Sequence, residues 1–306
     1  MKTLRRLALG ADLVALGTVV LGSWTRINGA GETCPDWPLC HGSVIPSMND
    51  GTVWEWLHRL LAFSVAPLVV ALVVCAWRQR ARSPFITPTV VAIVALFFVQ
   101  VLLGAATVRL ANSPTSVVLH WATAMAFIAA LSAMAIFASA KHAAKLTRSA
   151  VAPAAQLRAV LAATAAVAFV TMCVGAYVSS SGAGLACLSV PGCAGNVVVY
   201  TDGQIVQMLH RLAAAATLIG AAGSLALAWG RPASNRVRAA TSIGVALVCV
   251  QVLLGLLNVV LRLPIELREA HAVNAALAFL AFVVATLFAL LDAGALPSEK
   301  RAVASR

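Results

Sequence analysis

Four histidines stand in otherwise apolar runs: His58 in "EWLHRL", His120 in "LHWATA", His210 in "QMLHRL" and His271 in "EAHAVNA". An ionisable ring is costly in such surroundings, so it faces a bundle interior or a site. A single one would be read as a core imidazole bonded to a nearby carbonyl. Two pairs at similar depth suit a further chemistry, in which facing helices each offer one neutral nitrogen to the iron of a haem. Zinc fits less well, because a histidine pair without cysteine or carboxylate partners leaves a tetrahedral site incomplete. The pairs expected are His58 with His120 and His210 with His271. One helical turn before His58, and on the same face, stands Glu55, whereas Gln207 holds the corresponding place before His210. A carboxylate can move protons or steady positive charge and an amide does neither well. The first pair is therefore the candidate for chemistry on a substrate and the second for a bound cofactor. The plainer alternative for Glu55 is an interfacial ion pair with Arg59. Arg59 and Arg211 each follow a histidine, where a guanidinium could meet a haem propionate or snorkel to lipid headgroups.

Positioning these groups requires helices that cross a membrane. In 306 residues, 61% are hydrophobic and only 10% charged, which an ordinary soluble domain does not tolerate. Apolar runs long enough to span about 30 Å of hydrocarbon are read at 4–24, 54–77, 89–109, 116–139, 159–178, 205–229, 240–261 and 269–291. The first follows a basic start, yet no small-residue cleavage pattern closes it, so it is kept as a span. Basic residues cluster at the side of the termini, as in Lys2, Arg5, Arg6, Arg78, Arg80 and Arg82, then Lys141, Lys145 and Arg148, and finally Lys300, Arg301 and Arg306. That bias predicts cytoplasmic termini. The net charge of +12 is accounted for by topology and anionic lipid, with no basic stretch left for nucleic acid.

The loop "GETCPDWPLC" (31–40) then lies outside the membrane, where Cys34 and Cys40 can pair. Cys187 and Cys193 have the same spacing, 153 residues further on. The self-similarity continues in "GSWTRINGAGETC" (22–34) with "GAYVSSSGAGLAC" (175–187), and in "VQVLLG" (99–104) with an identical "VQVLLG" (250–255). The fold expected is an all-α integral membrane protein with eight transmembrane helices, arranged as two parallel, pseudo-twofold-related four-helix bundles. Residues 1–139 form the first unit, 140–158 a cytoplasmic linker and 159–306 the second unit. His41 has Ala194 in its place in the second loop, and His142 lies in the linker; both are read as solvated. Cys75, Cys173 and Cys249 are expected to pack as small apolar residues, Gln100 and Gln251 to bond between helices, and the glycines to serve close packing without pointing to a ligand.

The strings "TRINGAGETCPDWPLCHG", "EWLHR", "LHWATA", "QMLHR" and "EAHAVNA" together resemble the haem A synthase family over nearly all eight spans. The resemblance implies an oxidoreductase that turns haem O into haem A by oxidising a ring methyl to a formyl group, through a hydroxymethyl intermediate, for cytochrome c oxidase. It implies that His58 and His120 hold the substrate haem, that Glu55 takes part in catalysis, and that His210 and His271 ligate a cofactor haem b. Cys34–Cys40 and Cys187–Cys193 become outer-loop disulfides. Partners implied are haem O, the lipid bilayer, haem O synthase, cytochrome c oxidase assembly factors and an electron acceptor of unstated identity. Pro35, Asp36 and Trp37, absent from the second loop, are expected to belong to substrate handling. The lack of an Arg/Ser-rich leader points to a bacterial plasma membrane, with the haem sites toward its outer side. A bis-haem electron-transfer cytochrome b and a haem transporter or chaperone are the alternatives.

Overall fold

The computed structural model describes residues 1–146, 153–193, 195 and 199–294. Eight long helices follow one another: α1 Lys2–Ile27, α2 Thr52–Gln79, α3 Ile86–Arg109, α4 Pro114–Leu146, α5 Ala155–Ser180, α6 Asp202–Gly230, α7 Asn235–Val260 and α8 Ile265–Asp292. All eight are long and apolar enough to cross a bilayer, and the described residues contain no strand. The expected spans coincide with these helices, which run past the apolar stretches at most ends. At 33 residues α4 is the extreme case, about 50 Å long at 1.5 Å per residue. Helix thus takes in both ends of the expected linker 140–158: Lys141, His142 and Lys145 lie on the last turns of α4, and Arg158 on α5. Arg148, Ala194, Lys300, Arg301 and Arg306 fall outside the described residues.

Helices α1 to α4 pack in a ring, each on the next and α1 on α4, and α5 to α8 do the same. The rings meet where α1 touches α8, α4 touches α5, and α4 touches α8. Since α5 repeats α1 and α8 repeats α4, twofold symmetry generates this pattern. Arg26 and Ser179 are 153 residues apart, the repeat offset, and bond to each other at 3.1 Å across the seam. Leu4, Leu72, Ile93, Met125 and Leu131 fill the first core; Leu157, Leu161, Val237 and Phe282 fill the second. Phe169 of α5 stacks on Phe279 of α8 at 5.4 Å.

Outward faces carry exposed Leu13, Phe63, Val70, Leu102 and Ile219, as a lipid solvent allows. Because lipid tails are as apolar as leucine, association relies on close packing and polar bonds worth roughly 0.6 kcal/mol each. Examples are Ser132 to Asp12 at 2.9 Å, Thr171 with Thr217 at 2.9 Å and Thr164 with Ser224 at 3.2 Å. Cys75 and Cys173 are half-buried and free, whereas Cys249 faces outward rather than packing inside.

Candidate functional site

Each ring is closed at one end by the loop joining its first two helices, and both loops are stapled: Cys34–Cys40 and Cys187–Cys193 are disulfides with Cα separations of 4.7 and 4.5 Å. The second helix of each ring reaches up to hold its loop. Glu55 Oε2 accepts from the Cys34 N–H at 2.9 Å and from the Thr33 hydroxyl at 3.0 Å. Gln207 does the equivalent in the second ring, where its Oε1 accepts from the Cys187 N–H at 2.5 Å and its Nε2 donates to Gly184 O at 2.8 Å. Both residues are 4% exposed. The difference between them is charge, which in Glu55 is met by Arg59 Nη2 at 2.6 Å. The ion pair offered above as the plainer reading is thus present.

The arginines have a partner that neither expectation named, the loop backbone. Arg59 donates to the carbonyls of Cys34 (2.9 Å), Asp36 (2.6 Å) and Leu39, and Arg211 to those of Cys187 (3.0 Å), Ser189 (2.7 Å) and Gly192 (2.7 Å). A tight disulfide loop turns its carbonyls inward, and a guanidinium with its fork of N–H donors satisfies several at once. Arg59 is thus held by its loop and by Glu55, and Arg211 by its loop. Asp36 is also scaffold: its carboxylate accepts from the N–H groups of Gly42 (2.8 Å) and His41 (2.6 Å). In the second loop Ser189, its repeat counterpart, accepts from Gly195 N at 2.9 Å. The Gly42 N–H, helped by that of His41 and by Arg59, holds the Asp36 carboxyl below the usual carboxylate range. His41 bonds Thr33 O at 2.8 Å, and Trp37 is exposed.

Beneath the loops lie the histidines. His58 Nδ1 bonds Thr18 O at 3.0 Å and His210 Nδ1 bonds Thr171 O at 3.1 Å, so each ring directs Nε2 as its free lone pair. His210 and His271 stand with ring centroids 6.4 Å apart, and His120 lies within electrostatic reach of His58. The Nδ1 atoms of His120 and His271 are buried without a partner among the described residues. Gln100 approaches His120 Nε2 at 3.3 Å. Gln251, its counterpart, is instead held by Asn274 at 2.7 Å and donates to the His271 carbonyl at 3.0 Å.

Sequence reasoning missed the residues that make room for these rings. A Cβ at Gly22 would lie 2.5 Å from His58 Cε1, and one at Gly175 2.8 Å from His210 Cε1. At Gly104 and Gly255 it would lie 3.2 Å from His120 Cε1 and 3.3 Å from His271 Cε1. Four helical glycines therefore face four imidazoles, one each, correcting the reading of glycine as packing alone. The signal was present, for Gly22 and Gly175 open one aligned pair of strings and Gly104 and Gly255 close the other. Among the described residues no three His, Cys, Asp or Glu side chains converge as a metal cage would need. Paired imidazoles seated against glycines, two of them with an orphaned nitrogen, fit a planar macrocycle held between facing histidines.

The model of the COX15-CtaA family, described as cytochrome oxidase assembly protein, matches residues 5–53 and 47–283. Among curated relatives, the heme A synthase of Shouchella clausii is 33% identical over 222 residues, covering 70% of this chain and 72% of that protein. The heme A synthase of Bacillus licheniformis is 27% identical over 300 residues, or 95% of this chain and 94% of that protein. That of Shewanella oneidensis is 26% identical over 314 residues, covering 88% and 92%.

Proposed function

The chain belongs to the COX15-CtaA family of cytochrome oxidase assembly proteins, and from that membership we propose that it is a haem A synthase. It is a multi-pass membrane oxidoreductase that converts haem O to haem A, oxidising one ring methyl to a formyl group through a hydroxymethyl stage. The observation that supports this reading is the repeated cradle, in which each of two helix rings seats a pair of histidines, every imidazole lying against its own helical glycine.

We assign residues 1–139 to the substrate and 159–306 to the cofactor. His58 and His120 hold the iron of haem O; His210 and His271 hold haem b. Haem b, when bound, supplies a one-electron relay through which substrate electrons leave. The overall change, R–CH3 + H2O → R–CHO + 4 H⁺ + 4 e⁻, runs as two two-electron steps. With both imidazoles on the substrate iron no axial position is open to dioxygen, so water provides the oxygen. Glu55 lies one turn from His58, where its carboxylate accepts protons or steadies positive charge at the ring methyl. Gln207, which keeps the loop contact without the charge, supports confining this chemistry to the first unit. The clustering of basic residues supports cytoplasmic termini in a bacterial plasma membrane, with the haem sites toward the outside. Haem O synthase is then the natural source of substrate, and cytochrome c oxidase assembly the use of the product.

The test is conversion of haem O by the purified protein in isotope-labelled water and, separately, under labelled dioxygen. The formyl oxygen is expected to come from water. Label arriving only from dioxygen would end the water route.

A further inference from the structure

A cavity of about 440 Å³ opens between α1, α2 and α8, beside the histidine pairs rather than within them. Apolar side chains of α1 from Leu13 to Leu21 form its floor, and Trp24, Trp54 of α2 and Glu269 of α8 line its polar end. The two indoles meet edge to face, with centroids 6.1 Å apart. Glu269 is 8% exposed, with the Ser23 hydroxyl and the Arg26 charge near it, and neither of its oxygens makes a well-formed hydrogen bond among the described residues. The Trp24 Nε1–H is buried and unpartnered as well. Arg26, whose charge lies near Glu269, donates from Nη2 to Ser179. Burying carboxylate oxygens and an indole N–H without well-formed hydrogen bonds is costly, and a ligand that meets both would relieve it. The feature is not duplicated: the repeat counterparts of Trp24, Trp54 and Glu269 are Tyr177, Val206 and Val118.

We propose that this cavity binds an isoprenoid quinone, the two-electron acceptor of the reaction. A prenyl tail suits the apolar floor. A flat ring fits beside the indoles, with Trp24 Nε1–H donating to a ring oxygen and Glu269 accepting from a hydroxyl of the quinol. The assignment rests on the proposed conversion of methyl to formyl. That reaction releases four electrons and four protons per haem, which two quinones take up to leave as two quinols. The cavity borders both units, since α1 also carries Gly22 against His58 and α8 carries His271 two residues after Glu269.

The experiment is photolabelling of the full-length, haem-loaded protein in lipid nanodiscs with an azido-substituted decyl benzoquinone, followed by peptide mapping. Label is expected on α1 and on α8 near Glu269. Excess unlabelled decylubiquinone should suppress it, and Glu269→Leu and Trp24→Phe should each lower it about tenfold, the loss of one good polar contact, with the haem b absorbance unchanged. Label that maps elsewhere, that resists unlabelled quinone, or that persists in both variants overturns the proposal. Competition by haem O but not by quinone would give the cavity to the substrate's prenyl tail, and overturns it too. A wild-type protein that oxidises haem O with ferricyanide yet takes no label refutes the quinone site and leaves the enzymatic reading standing. A protein that oxidises no haem O with any acceptor refutes the enzymatic reading, while the labelling still decides the cavity.

Discussion

Replacing Gly175 by alanine tests the cradle most sharply. The new methyl carbon would stand 2.8 Å from His210 Cε1, 3.2 Å from Nδ1 and 3.5 Å from Nε2. To regain ordinary contact the imidazole has to retreat by about 0.6 Å, and its anchor, the 3.1 Å bond from Nδ1 to Thr171 O, retreats with it. Overpacking of this kind costs about 1–3 kcal/mol, and a weakened hydrogen bond adds about 1 kcal/mol. A loss of about 2–4 kcal/mol at the iron ligand is roughly 30- to 700-fold in haem affinity. Gly255→Ala is the matched control, because its methyl would lie 3.3 Å from His271 Cε1 and asks for almost no movement. Its effect should stay below about fivefold, near 1 kcal/mol. The assay is haem b content by pyridine haemochrome during titration of the apoprotein, with thermal unfolding in parallel. The cost falls on the haem-bound state, in which iron holds the ring in place; free of iron the ring can swing aside, and alanine is the better helix former by about 0.5–1 kcal/mol, so neither apoprotein should unfold earlier. Wild-type haem affinity in Gly175→Ala, or an equal loss in Gly255→Ala, would refute the reasoning.

Other outcomes follow from the loops. Arg59→Met strands the buried Glu55 carboxylate and three loop carbonyls and should cost about 3–5 kcal/mol; Arg211→Met, whose neighbour is the neutral Gln207, should lower the thermal midpoint less. Cys187→Ser with Cys193→Ser frees a short loop and should cost about 2 kcal/mol, measured by thermal unfolding, with haem b retained. Asp36 is depressed in the folded protein, so its contribution is full above the unfolded value of about 4 and is lost as pH falls through the lower folded value. Asp36→Asn should therefore lower the midpoint at neutral pH and flatten its decline in acid, read from unfolding scans between pH 6 and 3.

Helices, the repeat and the histidine pairs could be read directly, because apolar length and a repeated imidazole are properties of the letters. The arginines could not. Their partners are backbone carbonyls of Cys34, Asp36 and Leu39, and the sequence does not show which way a carbonyl points. Asp36 and Ser189 share one task with different residues, since any short side-chain oxygen can accept the loop N–H. That disguised scaffold as specialisation. Gly22 and Gly175 were in view within aligned strings, but a glycine shows its purpose only once the helix crossing places a ring against it. Glu269 stood two residues from His271 and drew no notice, because its setting beside Trp24 and Trp54 depends on how α1 packs against α2 and α8.

The division of labour between the two units turns on Glu55, and Gln207 shows that an amide at this position still holds its loop. Glu55→Gln should therefore fold and keep its haem b spectrum. The decisive measurement is extraction and mass analysis of pigments after incubation of this variant and of wild type with haem O. Hydroxylated and formylated haem from wild type, and neither from Glu55→Gln, is the result expected. Undiminished haem A from Glu55→Gln would contradict the account.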